Sequence, residues 1–244
     1  MVRGFYDLTS GMLTQNRTLN TVSNNIANTN TNGYKSQRLT SRTFGDMLIE
    51  RVDAQRTPIG HASLMNITAD KTVTDFTQGT IQPTDRALDF AIRGDGFFAV
   101  QTNDGVAYTR NGSFNMDTQG YLTLNGVGRV LGRNGQPIQL NTDNVESDKQ
   151  GNLYIGGNLA ASLGVYRFPD NRALNIVNEG LYAGANATLV QTPEIVPKAV
   201  EASNADMANE FARGITSQRS LQSCSQALKM YDLVLDRAVE IGKV

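Results

Sequence analysis

Residues 4–28 read GFYDLTSGMLTQNRTLNTVSNNIAN, and this stretch decides the fold of the 244-residue chain. Apolar side chains recur at steps of three and four, with Gln15 in the one polar slot at that spacing. The pattern predicts an amphipathic helix with a heptad stripe, roughly 36 Å long at about 1.5 Å per residue. Asn32-Gly33 favours a turn with positive φ beyond its end. The stripe consists of Phe5, Leu8, Met12, Leu19, Val22 and Ile26.

A narrow apolar stripe at the extreme N-terminus needs a partner, and the other end of the chain offers one. Ser203-Asn204-Ala205-Asp206 resembles a capping box with Ser203 as N-cap. About 35 residues follow without a proline, as expected of a second long helix. Its apolar side consists of Met207, Phe211, Ile215, Leu221, Leu228 and Leu235.

The region between the helices has a β pattern. From Phe76 onward, short apolar or alternating segments recur about every 8–12 residues between Gly and Asn turns, which is typical of an antiparallel sandwich or barrel. The sequence therefore predicts an α+β fold with long N- and C-terminal helices and a β-rich middle domain. The predicted domains are 1–35 with 201–244 (helical), 36–75 (an extended linker with short strands) and 76–200 (β-rich). Within the linker, Phe44–Ile49 is a short apolar piece.

Composition and charge exclude several classes of protein. The formal net charge is −1 and the pI about 5.9, so nothing indicates a nucleic-acid partner. No apolar run approaches the ~20 residues of a membrane span. The start of the chain lacks a continuous apolar region, so we expect no cleaved signal peptide. A single cysteine, Cys224, and a single histidine, His61, favour neither an internal disulfide nor a metal site, and we expect no cofactor.

Candidate catalytic residues are few. Asp85, Asp89 and Asp95 lie close in sequence, and paired carboxylates perform acid–base chemistry on glycans. A β-rich protein that binds or cleaves glycans is therefore the alternative from another class. Aspartates in solvated turns explain the same residues. A hydrolytic triad at His61 would need a buried aspartate partner and an oxyanion site, and the sequence indicates neither. We therefore predict no enzyme and no catalytic residue.

Three separated blocks of this sequence resemble the bacterial flagellar rod and hook family of axial proteins. The first runs from Ser10 to Lys35, the second includes Gln78–Gln82 and Leu88–Val100 and continues through Tyr108–Phe114, and the third includes Glu201–Met207. The blocks occur at both ends and in the middle of the chain. The signature residues are Asn24, Asn25, Ile26, Asn28, Gly33, Tyr34, Lys35, Gly94, Gly96, Phe97, Phe98, Ser203 and Asn204.

The resemblance implies that the terminal helices pair as an antiparallel coiled coil, the inner layer of a tube with the β-rich domain outside. It implies a helical homopolymer in the flagellar basal body that transmits torque from motor to hook. The implied partners are other copies, other rod and hook proteins, the flagellar export apparatus and the bushing rings around the rod. Chain length and Asn32-Gly33-Tyr34-Lys35 favour the distal-rod type; proximal-rod and hook paralogues are the alternatives.

Overall fold

The computed structural model describes residues 2–43, 67–178 and 180–241. It has a long helix near each end of the chain and a β-rich middle with a curled antiparallel sheet, which confirms the predicted α+β class. The apolar piece Phe44–Ile49 and His61 lie outside the described residues. The chain forms two compact units: unit one is 1–27, 37–75 and 206–244, and unit two is 28–36 and 76–205.

The described part of unit one contains two antiparallel helices and a pair of antiparallel strands. The helices are α1 (Val2–Ala27) and α2 (Met207–Ile241). Strands β1 (Gln37–Thr43) and β2 (Ile67–Thr74) pair antiparallel. A Cβ placed on Gly214 would lie 3.4 Å from Val22, and one on Gly11 would lie 3.9 Å from Cys224. Residues late in α1 therefore meet residues early in α2, as an antiparallel pair requires.

The helices leave much of their apolar surface uncovered within one copy of the chain. On α1, Thr14, Val22 and Asn25 are buried, while most of the predicted stripe is only half-buried and Phe5 is exposed. At about 100° per residue, the buried face is centred roughly a quarter turn from the apolar stripe. On α2 the predicted residues divide into half-buried Leu221, Leu228 and Leu235 and exposed Met207, Phe211 and Ile215.

The start of α2 differs from the prediction. Asp206 is the N-cap, because its Oδ1 accepts the N–H of Ala208 at 3.0 Å. The hydroxyl of Ser203 instead accepts the N–H of Ala205, so the prediction of Ser203 as N-cap was wrong. The reason is tertiary: the Asn204 amide group donates to Thr77, which holds this residue before the helix can begin. α1 ends at Ala27, close to the predicted position.

Unit two consists of antiparallel strands. The strands are β3 (Ile81–Pro83), β4 (Phe90–Arg93), β5 (Phe97–Thr102), β6 (Gly105–Thr109), β7 (Asn115–Met116), β8 (Leu122–Leu124), β9 (Gly128–Val130), β10 (Glu146–Ser147), β11 (Asn152–Ile155), β12 (Asn158–Ser162), β13 (Val165–Arg167), β14 (Asn175–Asn178), β15 (Leu181–Ala183), β16 (Thr188–Leu189), β17 (Glu194–Pro197) and β18 (Ala199–Glu201), with a 3-10 turn at Asn171–Ala173. A nine-stranded sheet contains β14-β15-β6-β5-β9-β8-β7 in order; β13 also pairs with β5, and β16 pairs with β13. The smaller groups are β10-β11-β12, β17-β4 and β18-β3.

The core of unit two lies between these strands. Phe98 and Phe114 meet edge to face at 5.2 Å between ring centroids, and such pairs add to the free energy of burial. A second cluster joins Phe97, Phe168 and Tyr182. The main core also contains Leu88, Phe90, Ile92, Val100, Ala107, Leu122, Leu124, Val130, Ile138, Leu140, Val145, Leu153, Leu163, Val165, Leu181 and Ile195.

The two units divide the chain differently from the predicted domains. Residues 28–35 and 201–205, expected with the helices, belong to unit two. Apart from Ser36, the described part of the predicted linker belongs to unit one, where it contains the paired strands β1 and β2. We call residues 28–35 and 201–205 the connecting segments. They differ from the prediction because several of their side chains are buried in unit two.

Candidate functional site: the buried ion cluster and the terminal helices

The three signature blocks meet in unit two around one buried carboxylate. Lys35 Nζ lies 2.5 Å from Glu201 Oε1, and Arg110 Nη1 lies 3.2 Å from Glu201 Oε2. The side chains of Lys35 and Glu201 are fully buried, and that of Arg110 is 3% exposed. We call these three residues the buried ion cluster. It joins segments that are 166 residues apart in the chain.

Hydrogen bonds from the backbone complete the cluster. Lys35 Nζ also donates to the carbonyl oxygen of Thr77 at 2.7 Å. The N–H of Gly79 donates to Glu201 Oε1 at 2.9 Å. Removing a charge from water costs several kcal/mol, so such a pair is tolerated only with good geometry and further hydrogen bonds. Lys35 and Glu201 meet both conditions, whereas Arg110 Nε is buried and has no hydrogen-bond partner among the described residues.

Arg110 packs on an aromatic ring as well as on the carboxylate. Its Cζ lies 5.2 Å from the centroid of the Phe97 ring, within the range of cation–π contacts. Burial lowers the pKa of Arg110, and the charge of Glu201 acts in the opposite direction. Burial also disfavours the charged form of the nearby Tyr182 hydroxyl and so raises its pKa. This part of the cluster therefore lies in a poorly solvated environment.

Gly33 allows the chain to pass close to Arg110. Its φ is +70°, a left-handed conformation that favours glycine. A Cβ there would lie 2.3 Å from the carbonyl carbon of Arg110, which is far too close. Its N–H donates to the carbonyl oxygen of Glu201 at 2.6 Å. Gly33 is therefore required both by its conformation and by the lack of space.

Two signature asparagines use their amides to hold backbone segments. Within unit one, the side chain of Asn25 accepts the N–H of Gln37 at 2.9 Å and donates to its carbonyl oxygen at 2.8 Å. This is the pair of hydrogen bonds that a residue of a neighbouring antiparallel strand would make. In unit two, Asn204 accepts the N–H of Ser36 at 2.7 Å. The backbone N–H of Asn204 donates to the carbonyl oxygen of Tyr34, which is buried.

The other signature residues do not join the cluster directly. Phe98 lies in the main core, while Gly94 and Gly96 form the β4–β5 turn with φ of +90° and +148°. Asn24 is exposed and Ile26 half-buried on α1. The side chain of Asn28 accepts the Thr31 hydroxyl and so organises the turn after α1.

The sequence analysis did not single out Arg110, Glu201, Thr77 or Gly79 as site residues. Glu201 ends β18, where it directly follows buried Val200. Gly79, Arg110 and Glu201 also lie within the blocks that resemble the family, but neither signal identifies which residues pair.

The candidate carboxylates do not form an organised catalytic group. Asp85 and Asp95 are exposed. Asp89 is buried, accepts the Thr84 hydroxyl at 2.9 Å and pairs with Arg86 at 3.2 Å. Within the described ranges, no three acidic, cysteine or histidine side chains lie close enough together to hold a metal ion. Neither described helix is long and apolar enough to cross a membrane.

Comparison with known proteins defines the class as axial proteins of the flagellum. The family model "Flagella basal body rod protein" matches residues 5–35, and "Flagellar hook protein FlgE/F/G D1 domain" matches residues 91–155. The chain is 32% identical to the flagellar basal-body rod protein FlgG of Bacillus subtilis, over 100% of both chains. It is 29% identical to the flagellar hook-basal body complex protein FlhO of the same species over 100% of both. It is 30% identical to FlgF of Caulobacter vibrioides over 96% of each. The chain belongs to the flagellar basal-body rod protein family.

Proposed function

We propose that this protein is a structural subunit of the bacterial flagellar basal-body rod, of the distal-rod type. It self-assembles into a hollow helical axle that transmits torque from motor to hook. The observation that carries this proposal is the full-length similarity to a protein named FlgG. The similarity to FlgF supports a neighbouring position in the rod as the second candidate.

The terminal helices supply the assembly surface. Phe211 and Ile215 on α2 are 51% and 52% exposed, and Phe5 on α1 is 39% exposed. Exposed apolar side chains on helices indicate a partner when they form a contiguous surface. In the polymer, α1 and α2 pair as a coiled coil, and their uncovered apolar residues pack on neighbouring copies.

The partners follow from this position. They are other copies of the chain, other flagellar rod and hook proteins, the flagellar export apparatus during delivery, and the bushing rings around the rod. Delivery through the export apparatus requires no cleaved signal peptide. Contacts between successive copies are heterologous and do not close, so they generate a helical filament.

Basal bodies purified from cells that carry an epitope-tagged copy test the proposal. We expect the tag on the distal rod; a label at the proximal rod would favour the FlgF-like position, and its absence would refute a rod role. The variant Ile215→Asp should fold but not enter the rod, because its side chain is exposed in the single copy. Val177→Asp, at an equally exposed apolar residue of β14, is the matched control.

A further inference from the structure

The chain contains four Asn-Gly pairs, and the structure places them in different surroundings. They are Asn32-Gly33, Asn111-Gly112, Asn125-Gly126 and Asn134-Gly135. An asparagine before glycine can lose its amide, because glycine has no side chain to obstruct attack by its own backbone nitrogen on the asparagine. The attack needs space around the glycine and a glycine N–H that no acceptor holds. These two conditions can be examined for each pair.

Space around the glycine separates the four pairs into two groups. A Cβ on Gly33 would lie 2.3 Å from a backbone carbon, and one on Gly112 would lie 1.7 Å from a backbone oxygen. Both of these glycines are buried. A Cβ on Gly126 or Gly135 would meet nothing within 4 Å, and both residues are exposed. Only the last two pairs therefore have room for the five-membered ring that the reaction forms.

Hydrogen bonds hold both reacting groups of the Asn134-Gly135 pair. The N–H of Gly135 donates to the carbonyl oxygen of Gly132 at 3.0 Å. The side-chain Oδ1 of Asn134 accepts the N–H of Gln136 at 3.1 Å. Both bonds must break before the backbone nitrogen can reach the carboxamide, so this pair should react slowly.

The Asn125-Gly126 pair, in the turn between β8 and β9, has neither restraint. The hydrogen bond that closes this turn comes from the next residue, since the N–H of Val127 donates to the carbonyl oxygen of Leu124 at 3.0 Å. Within the described part of the chain, neither the Gly126 N–H nor the Asn125 side chain makes a hydrogen bond. Both residues are exposed, so solvent reaches the attacking nitrogen.

We infer that Asn125 is a site of spontaneous deamidation. Solvent hydroxide takes the N–H proton of Gly126, and the nitrogen forms a bond to Asn125 Cγ. The bond from Cγ to Nδ2 then breaks, and Nδ2 takes a proton from water and leaves as ammonia, which closes a succinimide ring. A second water opens the ring at either carbonyl carbon and gives aspartate or isoaspartate.

The modification changes one hairpin of unit two. Either product carries a carboxylate and lowers the formal net charge of −1 by one unit. Isoaspartate also adds a methylene group to the main chain of the turn. The turn joins strands that pair at Thr123 with Arg129 and at Leu124 with Gly128, and turn length fixes such a register. The reaction needs only the folded chain and water, so it does not depend on the proposed rod function.

Mass spectrometry of peptides from the folded full-length chain, kept in mildly alkaline buffer, tests the site. Asn125 should deamidate about tenfold faster than Asn134, because the reaction at Asn134 must first break two hydrogen bonds. Asn32 and Asn111 should remain amides over the same time. In urea the four pairs should react at similar rates, since the fold no longer separates them.

A pair of variants assigns the ammonia that the folded chain releases. Asn125→Gln should remove the fast release, because the longer side chain must close a less favourable six-membered ring. Asn134→Gln, in the other exposed pair, is the matched control and should keep it. Equal rates at Asn125 and Asn134 in the folded chain would overturn the assignment. An intact Asn125 in a folded chain whose unfolded form reacts, or fast release from Asn125→Gln, would overturn it as well.

Discussion

At the scale of single residues, the buried ion cluster ties residues 28–35 and 201–205 into unit two. Lys35 and Arg110 share the two oxygens of Glu201, and all three side chains are almost fully buried. Arg93 and Glu194 form a pair of the same chemical type at 2.9 Å, but both side chains are more than half exposed. The chain thus contains a buried and a solvated version of one interaction.

Glu201→Gln should destabilise the protein by about 3–5 kcal/mol, because it leaves two buried cations without a counter-charge. Glu194→Gln should cost only about 0–1 kcal/mol, since water and salt screen that pair. Urea unfolding of both variants measures the difference. Equal losses would show that burial of the cluster does not set its contribution.

Gly33 offers a second test at this scale. Gly33 and Gly135 have almost the same φ, +70° and +74°, but a Cβ on Gly135 would meet nothing within 4 Å. Gly135→Ala should therefore cost about 1–2 kcal/mol from the left-handed conformation alone. Gly33→Ala should cost clearly more in the same unfolding measurement, since its methyl group collides with the Arg110 backbone. Similar costs would mean that the backbone around Arg110 relaxes readily.

At the scale of elements, two turns of unit two repeat one design. Asp117 and Asp148 each begin an Asp-x-Gln-Gly turn, with a positive-φ glycine three residues on. The carboxylate of each accepts the N–H groups two and four residues later. The leucines that follow, Leu122 and Leu153, are completely buried. The repeat thus directs each strand into the core.

The turn carboxylates should make stability depend on acid pH. Desolvation raises the pKa of Asp148, but hydrogen bonds from Asn152 and Gln150 outweigh it and hold the pKa below its ordinary value. A lowered pKa in the folded state stabilises the fold above about pH 4 and is lost as the pH falls through the folded value. Asp148→Asn should therefore show a smaller loss of urea midpoint between neutral pH and pH 3 than the native chain. Asp104→Asn, at an exposed turn aspartate, should keep the native pH dependence.

The elements themselves were largely predictable, because each depends on a local pattern. Both helices and most strands of the middle region occur where the periodicity placed them. Residues 137–140 are a partial exception, since they form only isolated bridges to Leu131 and Tyr121. Ser203 failed as a helix cap because distant residues hold the segment around it, a competition that local propensity does not reveal.

At the scale of the whole molecule, the location of the connecting segments can be tested by truncation. Residues 28–36 carry Lys35 and Gly33 into unit two, although the sequence pattern groups them with α1. A fragment of residues 28–205 should fold to a cooperative β-rich domain. A fragment of residues 37–205 should be less stable by several kcal/mol, because it leaves Glu201 buried without Lys35.

Circular dichroism and urea unfolding of the two fragments measure that difference. Equal stability of both fragments would show that residues 28–36 contribute nothing to the stability of unit two. A fragment of residues 76–200, the domain expected from sequence, is the reference that also lacks Glu201. We expect it to be no more stable than the 37–205 fragment.

The sequence by itself determined the two helices, the succession of strands and the family, because periodicity, turn residues and signature blocks are read along neighbouring positions. Only the tertiary structure decided that Lys35, Arg110 and Glu201 meet, and that the connecting segments belong to the β-rich unit. Pairing of charges 166 residues apart depends on which surfaces the fold brings together and removes from water. No pattern along the chain encodes that distance.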